Sequence, residues 1–241
     1  MKITNYFERI YIINLPERTD RRVEMEREIH AQGISSRDKC IRFFPAVRPT
    51  DAGLFPSRGA RGCFMSHLGI LSEALRDGLA TVLVMEDDLS IAPHFRRCEA
   101  AMLDGLDKLK WDIAYFGHIE AVHGNPGAPA WTSCNQPMQC LHFYALNTSV
   151  ITSLHDYLRA CLGRKPGHPD GGPMHVDGAY SMFRMRYPDR VTLMATPSLG
   201  SQRSSRSDIA TNKWYDRTPV IREIASIARR GKNWRTLRHI G

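Results

Sequence analysis

The sequence predicts an α/β protein built on a mainly parallel sheet with helices on both faces. Two observations predict it. Apolar, β-branched runs of strand length alternate with stretches of helical period along most of the chain. The runs themselves, such as RIYIINL and TVLVM, are apolar almost throughout, the pattern of strands buried on both faces.

Arg9–Leu15 (RIYIINL) is the first strand. Thr19 to Gln32 follows as a charged, amphipathic helix closed by Gly33, a natural left-handed cap. Arg42–Val47 (RFFPAV) reads as a short second strand. From Gly62 to Asp77, Phe64, Met65, Leu68, Leu71, Ala74 and Leu75 recur at a helical period, and Gly78 stops that helix. Thr81–Met85 is the next strand. A helix near 95–109, a strand at Asp112–Phe116, a strand at Leu141–Leu146 and a helix from Thr148 to Leu162 complete the alternation, with Asn147 or Thr148 as the last cap. Segments 121–139 and 163–174 are rich in Gly and Pro and read as surface loops within one domain rather than as linkers. That domain spans residues 1–212, and a basic helical extension covers 213–241.

The chain has 241 residues, enough for one sizeable α/β domain, and its 42% hydrophobic content is that of a globular protein rather than a disordered one. No apolar run approaches the roughly 20 residues of a membrane span, and MKITNYFERI holds no signal-peptide core, so a cytoplasmic location is expected. Six cysteines without a CxxC pair read as reduced thiols. The net charge of +8 favours anionic partners, with much of the excess in the last third. There Val220, Ile221, Ile224, Ile227 and Ala228 have helical spacing, with Arg229, Arg230, Lys232, Arg235 and Arg238 beyond them. That stretch reads either as a peripheral anchor for an anionic inner-membrane surface or as a helix packed on the domain with a solvated basic end. Nucleic acid is not an expected partner, since the chain carries neither zinc-finger spacing nor an aromatic RNA-binding signature.

The chemistry concentrates where VLVMEDDLSI runs from a buried strand into Glu86, Asp87 and Asp88. Loops at the carboxyl ends of parallel strands form the usual ligand crevice. Three adjacent acids there admit three readings: a helix cap, pairing with arginines, or a site for a hard cation such as Mn²⁺ or Mg²⁺. In an extended chain Glu86 and Asp88 point to one side and Asp87 to the other. INLPERTDRR, at Ile13–Arg22, brings Asn14, Arg18, Arg21 and Arg22 toward the same crevice, either for a nucleotide's phosphates and base or as an exposed helix start. RGCFMSHLGIL, at Arg61–Leu71, places Ser66 and His67 in an otherwise apolar stripe, as site residues or as satisfied core residues. A hydrolase using Cys63 or Ser66 with His67 is disfavoured, because neighbours on one helix do not by themselves build a nucleophile, base and orienter.

These segments, with LHFYALNTSVITSL (Leu141–Leu154), HVDGAYSM (His175–Met182) and TPSLGSQRSSRSDI (Thr196–Ile209), resemble glycosyltransferase family 25, which includes lipooligosaccharide and collagen galactosyltransferases. The resemblance implies a nucleotide-sugar-binding, GT-A-like fold and inverting transfer of a hexose, often galactose, from a UDP-sugar to a glycan acceptor such as lipooligosaccharide. It implies that Asp88 binds Mn²⁺ (or Mg²⁺) bridging the diphosphate, with Glu86 assisting at the metal or the ribose and Asp87 at the donor. Asp177, in HVDGAY, matches the family's acid in the base position; an N-cap for its helix is the alternative role. His175 is a second candidate for the metal or the acceptor. Gln202 and Ser207 match family positions in SQRSSRSDI, a candidate lid, and Arg203 and Arg206 join them as charge donors to a diphosphate. A sugar-nucleotide-binding protein with little or no catalysis is the competing function.

Overall fold

The structure, a computed structural model, describes residues 1–120 and 124–203. The extension at 213–241, and with it Arg206 and Ser207, lies outside the described residues.

A one-turn helix α1 (Ile3–Tyr6) precedes β1 (Arg9–Asn14). Helix α2 (Thr19–Ala31) follows, and Gly33, at φ +77°, makes the left-handed turn that leads to β2 (Ile41–Pro45). Helix α3 (Arg58–Arg76) begins at Arg58 rather than at the expected Gly62, because the Ser57 hydroxyl oxygen accepts a hydrogen bond from Ala60 N at 3.0 Å and caps it there. Next come β3 (Thr81–Glu86), a short β4 (Leu89–Ile91), α4 (Phe95–Asp107) and β5 (Ile113–Tyr115). The Gly- and Pro-rich segment after β5, expected to be loop, contains β6 (Ala130–Ser133). It is followed by β7 (Phe143–Asn147), α5 (Thr148–Leu162) and α6 (Val176–Arg186). The last described elements are β8 (Thr192–Thr196) and β9 (Gly200–Gln202). The start of the candidate lid is therefore a strand, β9, held antiparallel to β4 by Leu89 facing Gln202 and Ile91 facing Gly200.

The main sheet has seven strands in the order β2-β1-β3-β7-β5-β8-β6. Its pairings run β2, β1, β3, β5 and β8 in one direction and β7 and β6 in the other, so the sheet is mostly parallel, as expected. The antiparallel strand at its centre has a topological cause. Among the described residues no helix crosses back between β5 and β7, and the chain re-enters from the end it left: Phe143, the first residue of β7, faces Met85 near the end of β3.

Alternation along each strand feeds two cores. Val82 and Val84 pack with Tyr11, Phe64, Leu71, Tyr144, Leu154 and Tyr180 under α3, α5 and α6. Leu83 and Met85 pack with Ile10, Ile12, Met25, Phe95, Leu103 and Phe143 under α1, α2 and α4. Burial on both faces explains why the strands read as unbroken apolar runs. No helix among the described residues is long and apolar enough to cross a membrane, and all six cysteines are free.

Candidate active site

Strands β1 and β3 lie side by side, with Ile13 level with Glu86, so both end at the same edge of the sheet. A cavity of about 450 Å³ opens there, lined among others by Ile13, Arg18, Arg21, Cys63, Glu86, Asp88 and Gln202. The strand order places this cleft where the sheet's parallel connections leave a gap beyond the carboxyl ends.

The three acids of the turn have different fates. Asp87 is spoken for: Asn14 Nδ2 donates to its Oδ2 at 2.8 Å, and Arg21 Nη1 donates to its Oδ1 at 3.0 Å. Asn14 also donates to the Arg18 carbonyl at 3.2 Å, which ties the start of α2 to the acidic turn. Arg203 supports the turn from behind, its Nη2 donating to the Asp87 carbonyl at 2.7 Å while it forms ion pairs with Glu24 and Glu28. Arg18 is itself paired with Asp20 at 2.8 Å. Thus arginine pairing, one of the three readings of the triplet, holds for Asp87.

Asp87 and Asp88 form the turn after β3, so the alternation expected of an extended chain does not govern them, yet Glu86 and Asp88 share a partner. One amide marks the point on which they converge: Gln202 Nε2 donates to Glu86 Oε2 at 3.3 Å and to Asp88 Oδ2 at 3.2 Å. Arg21 reaches Asp88 only at 3.8 Å. Asp88 is 7% exposed, and its Oδ1 is buried without a hydrogen-bond partner. Burial, reinforced by Glu86, pushes the Asp88 carboxyl up to about 6. Burial also pushes Glu86 up, but His67, His142 and Cys63 outweigh it and hold that carboxyl below its ordinary value. Two converging carboxylates, one with an orphaned oxygen and a raised pKa, suit a hard divalent cation that would supply the missing positive charge. The residues present fit such a group.

Asp177 sits in the first turn of α6, whose N-cap is His175 rather than Asp177. Its Oδ1 accepts from Gly178 N at 2.8 Å and its Oδ2 from Cys140 N at 3.3 Å. Cys140 adopts φ +67°, an uncommon angle for a residue with a Cβ, and this turn aims its N–H at the carboxylate. Burial pushes Asp177 up to about 6, with Glu86 adding to the shift. Asp177 does not line the cavity over the acids, but it lies within electrostatic reach of them. His175 is half-buried at the head of α6, and burial lowers its pKa.

Ser66 lines the cavity, whereas His67 stands one layer back. The Ser66 hydroxyl accepts from Val47 N at 2.8 Å and donates to the Gly62 carbonyl at 2.7 Å, pinning the β2–α3 loop to the helix. That contact is close: a Cβ on Gly62 would lie 2.5 Å from the Val47 carbonyl oxygen. His67 is fully buried, with Nδ1 2.7 Å from the Tyr144 hydroxyl and Nε2 3.5 Å from Glu86 Oε1. It reaches the cleft only through Glu86. Sequence reasoning missed Cys140 and His142, which border the acids. His142 donates no local signal; its carbonyl accepts from Glu86 N at 3.0 Å only because β7 lies beside β3.

Residues 7–125 match the family model described as glycosyltransferase family 25 (LPS biosynthesis protein). An inactive glycosyltransferase 25 family member 3 from Homo sapiens is 34% identical over 146 residues, which cover 50% of this chain and 24% of that protein. Procollagen galactosyltransferase 1-A from Xenopus laevis is 30% identical over 141 residues, 51% of this chain and 23% of that one. The chain therefore spans about a quarter of the length of these relatives. A solved glycosyltransferase involved in glycosylation of the major capsid of PBCV-1 aligns over 78% of this chain and 82% of its own, at TM-score 0.46 and 11% identity. Residues 7–125, which carry Asn14, Arg21, the α3 helix and the acidic turn, belong to glycosyltransferase family 25.

Proposed function

We propose that this protein is an inverting, metal-dependent hexosyltransferase that moves galactose from UDP-galactose to a hydroxyl of a glycan acceptor. The observation that carries the reading is the convergence of Glu86 and the orphaned Asp88 carboxylate in the cleft beyond β1 and β3. The galactosyl donor is supported by the procollagen galactosyltransferases among the relatives. Lipooligosaccharide and collagen-like acceptors both satisfy the chemistry.

Glu86 and Asp88 would hold Mn²⁺ or Mg²⁺, which as a Lewis acid offsets the charge that builds on the departing diphosphate. Arg21, fixed by Asp87, lies at the same rim and presents cationic charge to the phosphates. Asp177 takes the acceptor hydroxyl's proton. Its carboxylate already accepts two backbone N–H bonds, which leaves lone pairs for a third donor and fixes its orientation. A pKa of about 6 leaves it ionised at neutral pH yet more basic than an ordinary carboxylate. The basic extension beyond 212 would hold the enzyme on an anionic membrane surface, a part of the reading that rests on sequence alone.

Calorimetric titration of UDP with and without Mn²⁺, on the wild type and on Asp88→Asn, tests the donor site. Metal-dependent binding that the substitution abolishes is the expected result. Absence of UDP binding in either condition would return the acidic turn to an arginine-paired structural role. The inactive relatives favour a second reading, a non-catalytic sugar-nucleotide binder. It is selected if UDP binds and no UDP-hexose is turned over with glycan or collagen acceptors.

A further inference from the structure

Cys63 and His67 lie one turn apart on α3, so their side chains leave the helix on one face, toward the end of β3. There both meet Glu86. Cys63 Sγ is 3.8 Å and His67 Nε2 3.5 Å from Glu86 Oε1, and the three atoms all lie within 4.8 Å of one another. Tetrahedral zinc, with bonds of about 2.0–2.3 Å, holds its donor atoms about 3.3–3.7 Å apart, so this trio is already near that geometry.

His67 supplies an independent sign. It is fully buried, and its Nε2 makes no hydrogen bond although it points at Cys63 and Glu86. Its other nitrogen is held by a chain of hydroxyls: Nδ1 lies 2.7 Å from Tyr144 OH, which lies 3.1 Å from Tyr180 OH. When Nδ1 carries the hydrogen and donates to Tyr144, which donates on to Tyr180, Nε2 turns a bare lone pair toward the other two groups. Metal-bound histidines are ordinarily fixed in this way through the ring nitrogen that does not bind the ion.

We propose that Cys63, His67 and Glu86 form a binding site for a borderline-soft divalent cation, Zn²⁺ foremost, with its fourth position open to the cleft. The thiolate and imidazole discriminate against Mg²⁺ and Mn²⁺, which prefer oxygen. The ion enters through the cavity that Cys63 and Glu86 line. As the zinc–sulfur bond forms, the thiol proton leaves to solvent. Glu86 is shared with the donor-cation site proposed above, whereas Asp88 belongs to that site alone, so mutation separates the two.

The experiment loads the purified full chain with Co²⁺ as a spectroscopic substitute for Zn²⁺ and measures Zn²⁺ affinity by competition with a chromophoric chelator. The wild type is expected to show sulfur-to-cobalt charge-transfer absorption. Cys63→Ser, nearly isosteric, should lose that band and bind Zn²⁺ at least about tenfold more weakly, as should His67→Gln. Asp88→Asn should keep both, even where UDP binding fails. A wild type without the band, or a Cys63→Ser variant with unchanged band and affinity, overturns the site. Loss of zinc binding in Asp88→Asn to the same degree overturns it too, because the ion would then sit at the acidic pair.

Discussion

The two faces of the central sheet are both fully packed, yet they differ in chemistry. Under α3, α5 and α6 the buried aromatic set includes Tyr11, Tyr115, Tyr144, Tyr157 and Tyr180. Under α1, α2 and α4 it is Phe7, Phe95, Phe116, Phe143 and Trp111. The division is made by single steps along strands: Phe143 and Tyr144 are neighbours on β7, and Tyr115 is followed directly by Phe116. Successive strand residues point to opposite faces, so one position decides whether a ring or a ring with a hydroxyl enters a given core. The tyrosine face is the one that touches the site, through Tyr180, Tyr144 and His67 to Glu86. The phenylalanine face has rings packed edge-on or tilted, such as Phe143 against Phe95 and Phe116. It contributes stability and little polarity. The difference teaches that the hydroxyls of Tyr144 and Tyr180 form a chain where it orients His67, while those of Tyr11, Tyr115 and Tyr157 are buried without a hydrogen-bond partner and serve as packing.

Substitutions should sort by face. The largest effect is expected at the head of α6, beside the tyrosine face: Asp177→Asn should lower kcat by about 10²–10⁴ with the circular dichroism spectrum unchanged. The same enzyme's kcat/KM should rise with pH as Asp177 loses its proton near 6, and in Asp177→Asn that limb of the profile should vanish. A profile that rises identically in the variant would assign the base elsewhere.

On the apolar face, Phe143→Ala should cost about 3–5 kcal/mol in unfolding free energy, because it opens a cavity beside the fully buried rings of Phe95 and Phe116. Its UDP affinity, measured well below its lowered Tm, should match that of the wild type. A selective loss of UDP binding in this variant would contradict the division between faces.

Tyr144→Phe removes only a hydroxyl. It should cost about 1–3 kcal/mol by leaving His67 Nδ1 and Tyr180 OH without their partner. Equal stability of this variant and the wild type in urea unfolding would show that the hydroxyl chain is not a satisfied network.

The smallest effect is a gain. The fold raises the Asp88 pKa from the unfolded value of 3.8 to about 6, so folding favours its protonated form. The stability this confers is complete below pH 4 and is lost as pH rises through 6. Asp88→Asn should therefore be more stable than the wild type at pH 7, by about 1–2 kcal/mol without divalent cations. That advantage should disappear near pH 4, and denaturant titrations at the two pH values check both the sign and the window.

Much of the fold could be read from residues alone. The runs RIYIINL and TVLVM, the stripe from Phe64 to Leu75 and the stop at Gly78 (φ +64°) stand where local pattern puts them. So do the acids at the end of β3, but the alternation expected of an extended chain stops at Glu86, because Asp87 and Asp88 lie in the turn after it, where Arg21 reaches both. The elements that escaped notice are short: helix α1 and strands β4, β6, β8 and β9, of three to five residues each. Ala130–Ser133 lies in a Gly- and Pro-rich stretch with no alternation, and it is a strand only because β8 offers its edge. Gln202, read as part of a lid, is instead the amide that joins Glu86 to Asp88, since β9 pairs with β4.

The sequence by itself determined the longer strands and helices, which faces of them are apolar, and that three carboxylates follow a buried strand. Periodicity, caps and turn glycines are short-range, and they act through backbone sterics and burial of the nearest side chains. The tertiary structure alone decided that Asp87 is neutralised by Arg21 while Asp88 is left open, that Cys63 and His67 meet Glu86, and that the αL turn at Cys140 reaches Asp177. Those partners are remote in the chain, and only the stacking of β7 between β3 and β5 and the packing of α3 and α6 over them bring the groups within hydrogen-bonding and Coulombic range.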